Sequence, residues 1–148
     1  MAVQKVYVRQ AFDVSVAQLF DYLSVHENLD ILFKPTTAKL LRNGVESTYG
    51  LGSVRLVKSI VGSFEETITA YEKNQRIEYK ITQGGPLKNH HGVMVFEGNE
   101  ERSTIAYTIV FEGKLPLMGP IAKNGLQKSV RKGLALLAAS NLKVKNEY

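Results

Sequence analysis

The sequence contains no cysteine and no long apolar run. Without cysteine, disulfides, thiolate catalysis and cysteine-ligated metal sites are excluded. No stretch approaches the roughly 20 apolar residues that a helix needs to span a bilayer, so we expect no integral membrane contact. The first twelve residues alternate polar and apolar side chains and lack the continuous apolar segment of a signal peptide. These features lead us to expect a cytoplasmic protein.

The chain has the size and composition of an ordinary globular protein. Its 148 residues fall within the usual range of roughly 100–200 residues for one domain. A hydrophobic content of 44% is sufficient for one buried core. The sequence shows no internal repeat and no interdomain linker. We therefore predict a single domain over residues 1–148.

The positive charge is concentrated at the C-terminal end. The net charge is +5, and residues 114–148 carry seven Lys or Arg and one Glu. Such a segment could attract nucleic acid, an anionic membrane or an acidic protein partner. Aromatic residues do not interleave with these charges as they do in proteins that bind single strands. We favour a solvated outer helix face and predict no nucleic-acid partner.

The longest helical pattern runs from Leu115 to Leu142. Pro120 suits the first turn of this helix, because its missing N–H is not needed there. We predict one long helix over this range, lying on the strands that precede it. Its apolar residues recur at helical spacing, at Ala122, Leu126, Val130, Leu134 and Leu137.

Most of the remaining chain alternates with the period of a strand. Ser15 fits the N-cap of a short helix after the first strand, and Asn28–Phe33 predicts a second short helix that ends before Pro35. The fold class is therefore α+β: a curved antiparallel sheet of six or seven strands wrapped around the long C-terminal helix. The predicted strands are residues 3–12, 36–42, 53–60, 63–72, 76–83, 89–97 and 103–112.

The lengths of the turns predict which side chains face the long helix, because directly opposite residues share a face of the sheet. We assign two-residue turns to Val61–Gly62 and Asn74–Gln75, and a four-residue loop to Asn99–Arg102. The predicted pairs are Arg55–Ile68, Val57–Glu66, Ala70–Tyr79, Ile68–Ile81, Phe96–Ile105, Met94–Tyr107, Gly92–Ile109 and His90–Phe111.

The inner face so defined is mostly apolar but also carries Arg55, Glu66, Tyr79, His90 and Tyr107. Buried polar groups require partners. Glu66 and Arg55 could provide an acid–base carboxylate beside an anion-binding guanidinium, or a structural ion pair, which we favour. His90 could be a general base or a ligand donor. We favour a hydrogen-bonded core histidine.

The histidines do not predict a metal site. His90 and His91 are adjacent on a strand, so they point to opposite faces and cannot bind the same ion. The third histidine, His26, has no carboxylate at a ligand-like spacing. Gly50 and Gly52 lack the third glycine of a nucleotide-binding loop. We therefore predict neither a metal nor a cofactor.

Several segments together carry a family resemblance. They are residues 50–55, 64–68 and 76–79, then Gly85–Pro86, Asn89–His90, Gly92 and Leu115–Pro116. In their order and spacing the chain resembles the helix-grip fold of the SRPBCC or START-like superfamily, in its polyketide cyclase/dehydrase branch. The resemblance implies a deep cavity between the sheet and the C-terminal helix, often holding an apolar or aromatic small molecule.

The resemblance and the inner face together define a candidate site. Carried over to this sequence, the polar positions near the cavity are Arg55, Glu66, Tyr79 and His90. The candidates for catalysis are His90, Glu66 and Tyr79. The full set predicted to contact a ligand is Arg55, Glu66, Ile68, Tyr79, Ile81, His90, Met94, Tyr107, Ile109, Leu126, Ser129, Val130 and Gly133.

The small residues of the long helix admit two interpretations. A glycine inside a helix costs about 1 kcal/mol relative to alanine, so Gly125 and Gly133 need a reason. Close packing on the sheet is one explanation. The other is that the glycines leave room for a cavity, and it predicts that Gly133→Leu lowers ligand uptake while the fold stays intact.

Three functions remain open at this point. The first is a binding protein for an apolar or aromatic metabolite of lipid-like or polyketide-like character. The second is a polyketide cyclase or aromatase that uses cavity acids and bases. The third is a protein-interaction module acting through the basic helix face. A cavity would separate the first two functions from the third. The sequence does not determine the oligomeric state.

Overall fold

The computed structural model describes residues 2–143, which form seven strands and three helices. Residues 1 and 144–148, including Lys145 of the basic segment, lie outside the described residues. The helices are α1 (Val16–Ser24), a 3₁₀ helix (His26–Leu32) and α2 (Met118–Ala139). The strands are β1 (Gln4–Phe12), β2 (Thr37–Arg42), β3 (Val54–Ser59), β4 (Gly62–Glu72), β5 (Arg76–Gly84), β6 (Leu87–Gly98) and β7 (Ser103–Gly113).

The strands form one antiparallel sheet in the order β1-β7-β6-β5-β4-β3-β2. In β7 every second residue is buried, which is the period of a strand with one face on the core. Helix α2 packs on β1, β7 and the 3₁₀ helix. The predicted α+β architecture, with two short helices after the first strand, is confirmed.

The predicted start is correct for the first helix and wrong for the other two. Ser15 accepts a hydrogen bond from the backbone N–H of Gln18 and completes a capping box with it. The second short helix is 3₁₀ and begins at His26, earlier than predicted. Helix α2 is shorter than predicted, because Leu117 adopts a left-handed conformation (φ 68°) and the helix begins after it.

The turn between β3 and β4 lies one residue earlier than predicted, which moves every pairing partner by two positions. Ser59 pairs with Gly62, so the turn residues are Ile60 and Val61. A shift of this size leaves every side chain on its predicted face. Its consequence is that Arg55 lies directly opposite Glu66. The predicted Arg55–Ile68 and Val57–Glu66 pairs are wrong.

A longer turn and two irregularities correct three further pairings. Glu72 pairs with Arg76, so the predicted two-residue turn Asn74–Gln75 has three residues, and a shift in register between Ile68 and Ala70 then sets Ile68 opposite Tyr79. The predicted Ala70–Tyr79 and Ile68–Ile81 pairs are therefore wrong. The predicted Phe96–Ile105, Met94–Tyr107 and Gly92–Ile109 pairs are confirmed. The register breaks between Lys88 and His91, so His90 does not pair with Phe111. Counting outward from a turn assumes regular strands and cannot locate such bulges.

Carboxylates of the 3₁₀ helix cover the edge strand β2. Oδ1 of Asp30 accepts from the backbone N–H of Ala38 at 2.7 Å, and Oε2 of Glu27 accepts from that of Leu40 at 2.7 Å. Backbone donors on an edge strand need such partners. The two contacts fix the 3₁₀ helix against the end of the sheet.

Gly133 lies where α2 crosses the 3₁₀ helix. A β-carbon at this position would lie 2.5 Å from the carbonyl oxygen of Ile31 and 2.9 Å from Cα of Leu32. Close packing therefore explains this glycine, and the expectation that it leaves room for a ligand is wrong. Gly125 is exposed, and a β-carbon there would meet no atom within 4 Å.

These two glycines should respond oppositely to the same substitution. Gly125→Ala should raise the free energy of unfolding by about 1 kcal/mol, because alanine is the better helix former. Gly133→Ala should lower it by about 1–3 kcal/mol, because the backbone of the 3₁₀ helix must move. Urea unfolding of both variants measures the difference. A stabilised Gly133→Ala variant would contradict the close packing.

Candidate functional site

A cavity of about 500 Å³ lies between the sheet, the 3₁₀ helix and the first turns of α2. Polar side chains gather on the sheet side, where Arg55, Glu66, Tyr79 and His90 all line it. Apolar side chains cover most of the remaining wall. They are Leu29, Phe33, Ala38, Val57, Val61, Phe64, Ile81, Pro86, Leu87, Ile109, Leu115, Pro116, Met118, Ile121, Ala122 and Leu126.

The structure brings only part of the predicted set to this cavity. Those that line it are Arg55, Glu66, Tyr79, Ile81, His90, Ile109 and Leu126. The others belong to the packed interior instead, and they are Ile68, Met94, Tyr107, Ser129, Val130 and Gly133.

The second half of α2 explains why its predicted residues lie outside the cavity. Ser129 donates its hydroxyl to the carbonyl oxygen of Leu32 at 2.7 Å, and Val130 is fully buried. With Gly133, these residues hold this half of the helix directly on the 3₁₀ helix. Only the first half of α2 stands as a wall of the cavity.

Sequence reasoning missed much of the wall. Val57 and Phe64 lie on the predicted inner face, two residues from Arg55 and Glu66, so strand alternation already indicated them. The 3₁₀ helix and the segment after it carried no such signal. They contribute Leu29, Asp30, Phe33, Thr36, Thr37 and Ala38.

Arg55 and Glu66 form a buried ion pair beneath the cavity. Nε of Arg55 donates to Oε1 of Glu66 at 2.7 Å. The guanidinium carbon lies 4.3 Å from the centre of the Tyr79 ring, within cation–π range. Burial alone would lower the pKa of Arg55, but the Glu66 carboxylate and the neighbouring tyrosines outweigh it and raise the pKa. The guanidinium therefore stays charged, and the favoured ion pair is present.

His26 supports this ion pair from behind, a role the sequence did not indicate. Arg55 donates from Nη1 to Nδ1 of His26 at 3.2 Å, and Nε2 of His26 lies 2.9 Å from Oγ of Ser53. Because Nδ1 accepts, the proton of the neutral ring is on Nε2. Burial, followed by the charge of Arg55, lowers the pKa of His26 to about 3.

His90 faces the cavity with a defined tautomer. The backbone N–H of Ile81 donates to Nδ1 of His90 at 3.0 Å, so Nε2 carries the proton. Nε2 lies 3.7 Å from Oε2 of Glu66. Burial lowers the pKa of His90, against the opposing effect of Glu66. His91 lies on the other face of β6, where Nε2 is 2.7 Å from Oε1 of Glu78.

The Tyr79 ring closes the polar end of the cavity. Its hydroxyl is hydrogen-bonded to that of Tyr107, which lies behind it. Burial raises the pKa of both phenols, so both stay protonated. The ring lies directly over Gly92, where a β-carbon would collide with it. Glycine at this position therefore leaves the space that the Tyr79 ring occupies.

Within residues 2–143, no helix is long and apolar enough to cross a bilayer. The same residues contain no group of three or more His, Asp or Glu side chains placed to hold a metal ion.

The sequence matches the family described as polyketide cyclase / dehydrase and lipid transport over residues 3–140. The chain belongs to this family. Membership confirms the resemblance drawn from the sequence, and it supports a general role in binding hydrophobic small molecules. A search of curated proteins gave no match.

Solved structures share the fold of this family member at low sequence identity. A START superfamily protein from Mycobacterium smegmatis has a TM-score of 0.73 at 15% identity, covering 94% of this chain and 97% of that one. An uncharacterised protein from Bacillus thuringiensis has 0.70 at 16% identity, covering 95% and 100%. Truncated norcoclaurine synthase from Thalictrum flavum has 0.69 at 9% identity, covering 97% and 96%.

Acid should destabilise the protein through His26. The pKa of His26 is about 3 in the fold and near 6.5 when unfolded, so the unfolded state binds the extra proton between these values. The stability from the neutral ring is complete above about pH 6.5. It is lost as the pH falls towards 3, by up to about 1.4 kcal/mol per pH unit.

His26→Gln tests this pH dependence, because the amide offers an acceptor and a donor but does not titrate. Its free energy of unfolding in urea should depend less steeply on pH than that of the wild type. His91→Gln, on the outer face of β6, is the control, because it leaves His26 in place and should keep the contribution of His26 to the slope. Equal slopes for the wild type and His26→Gln would contradict the assignment.

Proposed function

We propose that this protein binds an apolar or aromatic small molecule, of lipid-like or polyketide-like character, in the cavity between the sheet and α2. The cavity itself is the observation that carries the proposal. Its volume of about 500 Å³ lies within the range of roughly 300–1,000 Å³ typical of small-molecule pockets. A mostly apolar wall with a few convergent polar groups is also typical of such pockets.

The arrangement of the wall gives a bound molecule an orientation. Arg55 and Glu66 lie at the buried end. Val61, Leu115 and Ile121 also line the cavity, but they are 65%, 60% and 70% exposed. These three residues therefore mark the mouth. A ligand would place its polar end near the ion pair and its apolar body towards this rim.

Native mass spectrometry of freshly purified protein tests the proposal directly. We expect the intact protein to carry an additional mass that is lost on denaturation. Organic extraction followed by mass spectrometry then gives the mass of the released molecule. Protein that neither co-purifies with a molecule nor takes up apolar probes would contradict the proposal.

A larger side chain at Ala122 should block the cavity. Ala122 lines the wall formed by α2, so Ala122→Trp should reduce probe uptake at least about tenfold by filling the space. Ala135→Trp is the matched control, because Ala135 is exposed on the same helix and does not line the cavity. Fluorescence titration with an apolar probe compares the two. Equal uptake by both variants would place binding elsewhere.

One observation favours a second function, a cyclase or aromatase that moves protons on the bound molecule. His90 presents a neutral imidazole beside the Glu66 carboxylate, and both line the cavity. Such a pair can accept and return a proton at one position of a substrate. The ring of Tyr79 would pack against the bound substrate at the polar end of the cavity.

His90→Ala separates the two functions. If the protein is an enzyme, the variant should retain substrate, so the molecules released from variant and wild type expressed in the same cells should differ in structure. If it is a carrier, both should release the same molecule at different occupancy. Extraction followed by liquid chromatography and mass spectrometry distinguishes these results, because a cyclised isomer differs in retention time and an aromatised product also differs in mass.

Other expectations from the sequence remain predictions. The basic positions Lys128, Arg131 and Lys132 are exposed on α2, as a solvated outer face requires. A role for this face in binding an acidic partner has no further support. A cytoplasmic location and the lack of a nucleic-acid partner also remain predictions from the sequence.

A further inference from the structure

The space between His90 and Glu66 is shaped for one chemical group. Nε2 of His90 lies 3.7 Å from Oε2 of Glu66, which is too long for a hydrogen bond. Both residues line the cavity, so a ligand atom can approach both. An oxygen at an ordinary hydrogen-bond length of about 2.8 Å from each atom can contact the two at once.

The two atoms have fixed and opposite roles. The hydrogen bond from Ile81 holds Nδ1 of His90 as an acceptor, which makes Nε2–H a donor. Oε1 of Glu66 is bound to Arg55, and Oε2 faces His90 as an acceptor. A group that fits between them must therefore both donate and accept a hydrogen bond.

The charges at this end of the cavity are already balanced. Arg55 is paired with Glu66 at 2.7 Å and stacked on Tyr79. A ligand carboxylate would meet Oε2 of Glu66, and the two negative charges would repel at short range. A ligand ammonium would meet the guanidinium of Arg55. An uncharged group avoids both costs, which are large in a buried site.

We infer that the ligand carries a hydroxyl, as a phenol or an alcohol, that donates to Oε2 of Glu66 and accepts from Nε2–H of His90. This inference rests on the proposed binding function and names the class of its ligand. A ketone or an ether can accept from His90, but each leaves Oε2 facing an acceptor. An uncharged, hydroxylated, mostly apolar molecule satisfies all of these contacts.

A matched series of fluorescent probes tests the inference on the wild-type chain. Pyrene, hydroxypyrene, methoxypyrene and pyrene carboxylate share one ring system and differ at one substituted carbon. Hydroxypyrene should bind at least about tenfold more tightly than pyrene or methoxypyrene, because a hydrogen bond to a charged group strengthens binding by this much. Pyrene carboxylate should bind more weakly than hydroxypyrene.

The outcomes separate this inference from the proposed function. Equal affinities for pyrene and hydroxypyrene would overturn the hydroxyl site and leave an apolar binding protein. Tightest binding by the carboxylate would also overturn it, since Arg55 would then act as an anion site. Failure of every probe to bind, in protein that also carries no co-purified molecule, would overturn the proposed function and this inference together.

Two histidine variants locate the contact. His90→Phe keeps a ring in the wall but removes the neutral donor and leaves the Glu66 acceptor, so the preference for hydroxypyrene over pyrene should shrink by about two- to tenfold. His91→Phe, on the opposite face of the same strand, should keep the wild-type preference. A preference that survives undiminished in a folded His90→Phe variant would overturn the inference. The probe series on the wild-type chain decides the inference whether or not this variant folds.

Discussion

The buried ion pair between Arg55 and Glu66 is the interaction on which the rest of the site depends. A guanidinium that is 3% exposed must have its charge balanced and its donors satisfied. Glu66 supplies the charge, His26 accepts a second hydrogen bond and the Tyr79 ring stacks beneath. The need to balance the buried charge also explains why His26 is neutral, since a second cation beside Arg55 would be strongly disfavoured. The side of the pair that is left open faces the cavity.

The two halves of helix α2 make different contacts. Its second half is fixed on the 3₁₀ helix through Gly133 and the hydroxyl of Ser129. Its first half packs against β7 and β1 through Gly119, and on the other side Met118, Ile121 and Leu126 form a wall of the cavity. Close contacts near both ends therefore hold this wall in position. The carboxylates of the 3₁₀ helix on β2 complete this frame, because they tie the helix to the edge of the sheet.

The inner face of the sheet was predictable from the sequence, whereas the contacts across it were only partly so. Alternation placed Arg55 and Glu66 on one face. A one-residue error in the turn at Val61 moves each pairing partner by two positions, so it could not change that. The same error hid the fact that they are directly opposite. The bulges near Ala70 and His90 were missed, because counting pairs outward from the turns assumes that the strands are regular. His26 was missed because its role depends on a strand distant in sequence.

By itself the sequence determined the strands, the long helix, the family and the polar residues of the inner face. These follow from short-range periodicity and from the order of motifs, both of which can be read along one chain. Only the tertiary structure decided where the cavity lies and which residues reach it. A cavity is the space left between packed layers, so its position depends on contacts such as Gly133 with the 3₁₀ helix. Such contacts set the distance between the helix layer and the sheet. They join residues that are remote in the chain, so no local pattern in the sequence predicts them.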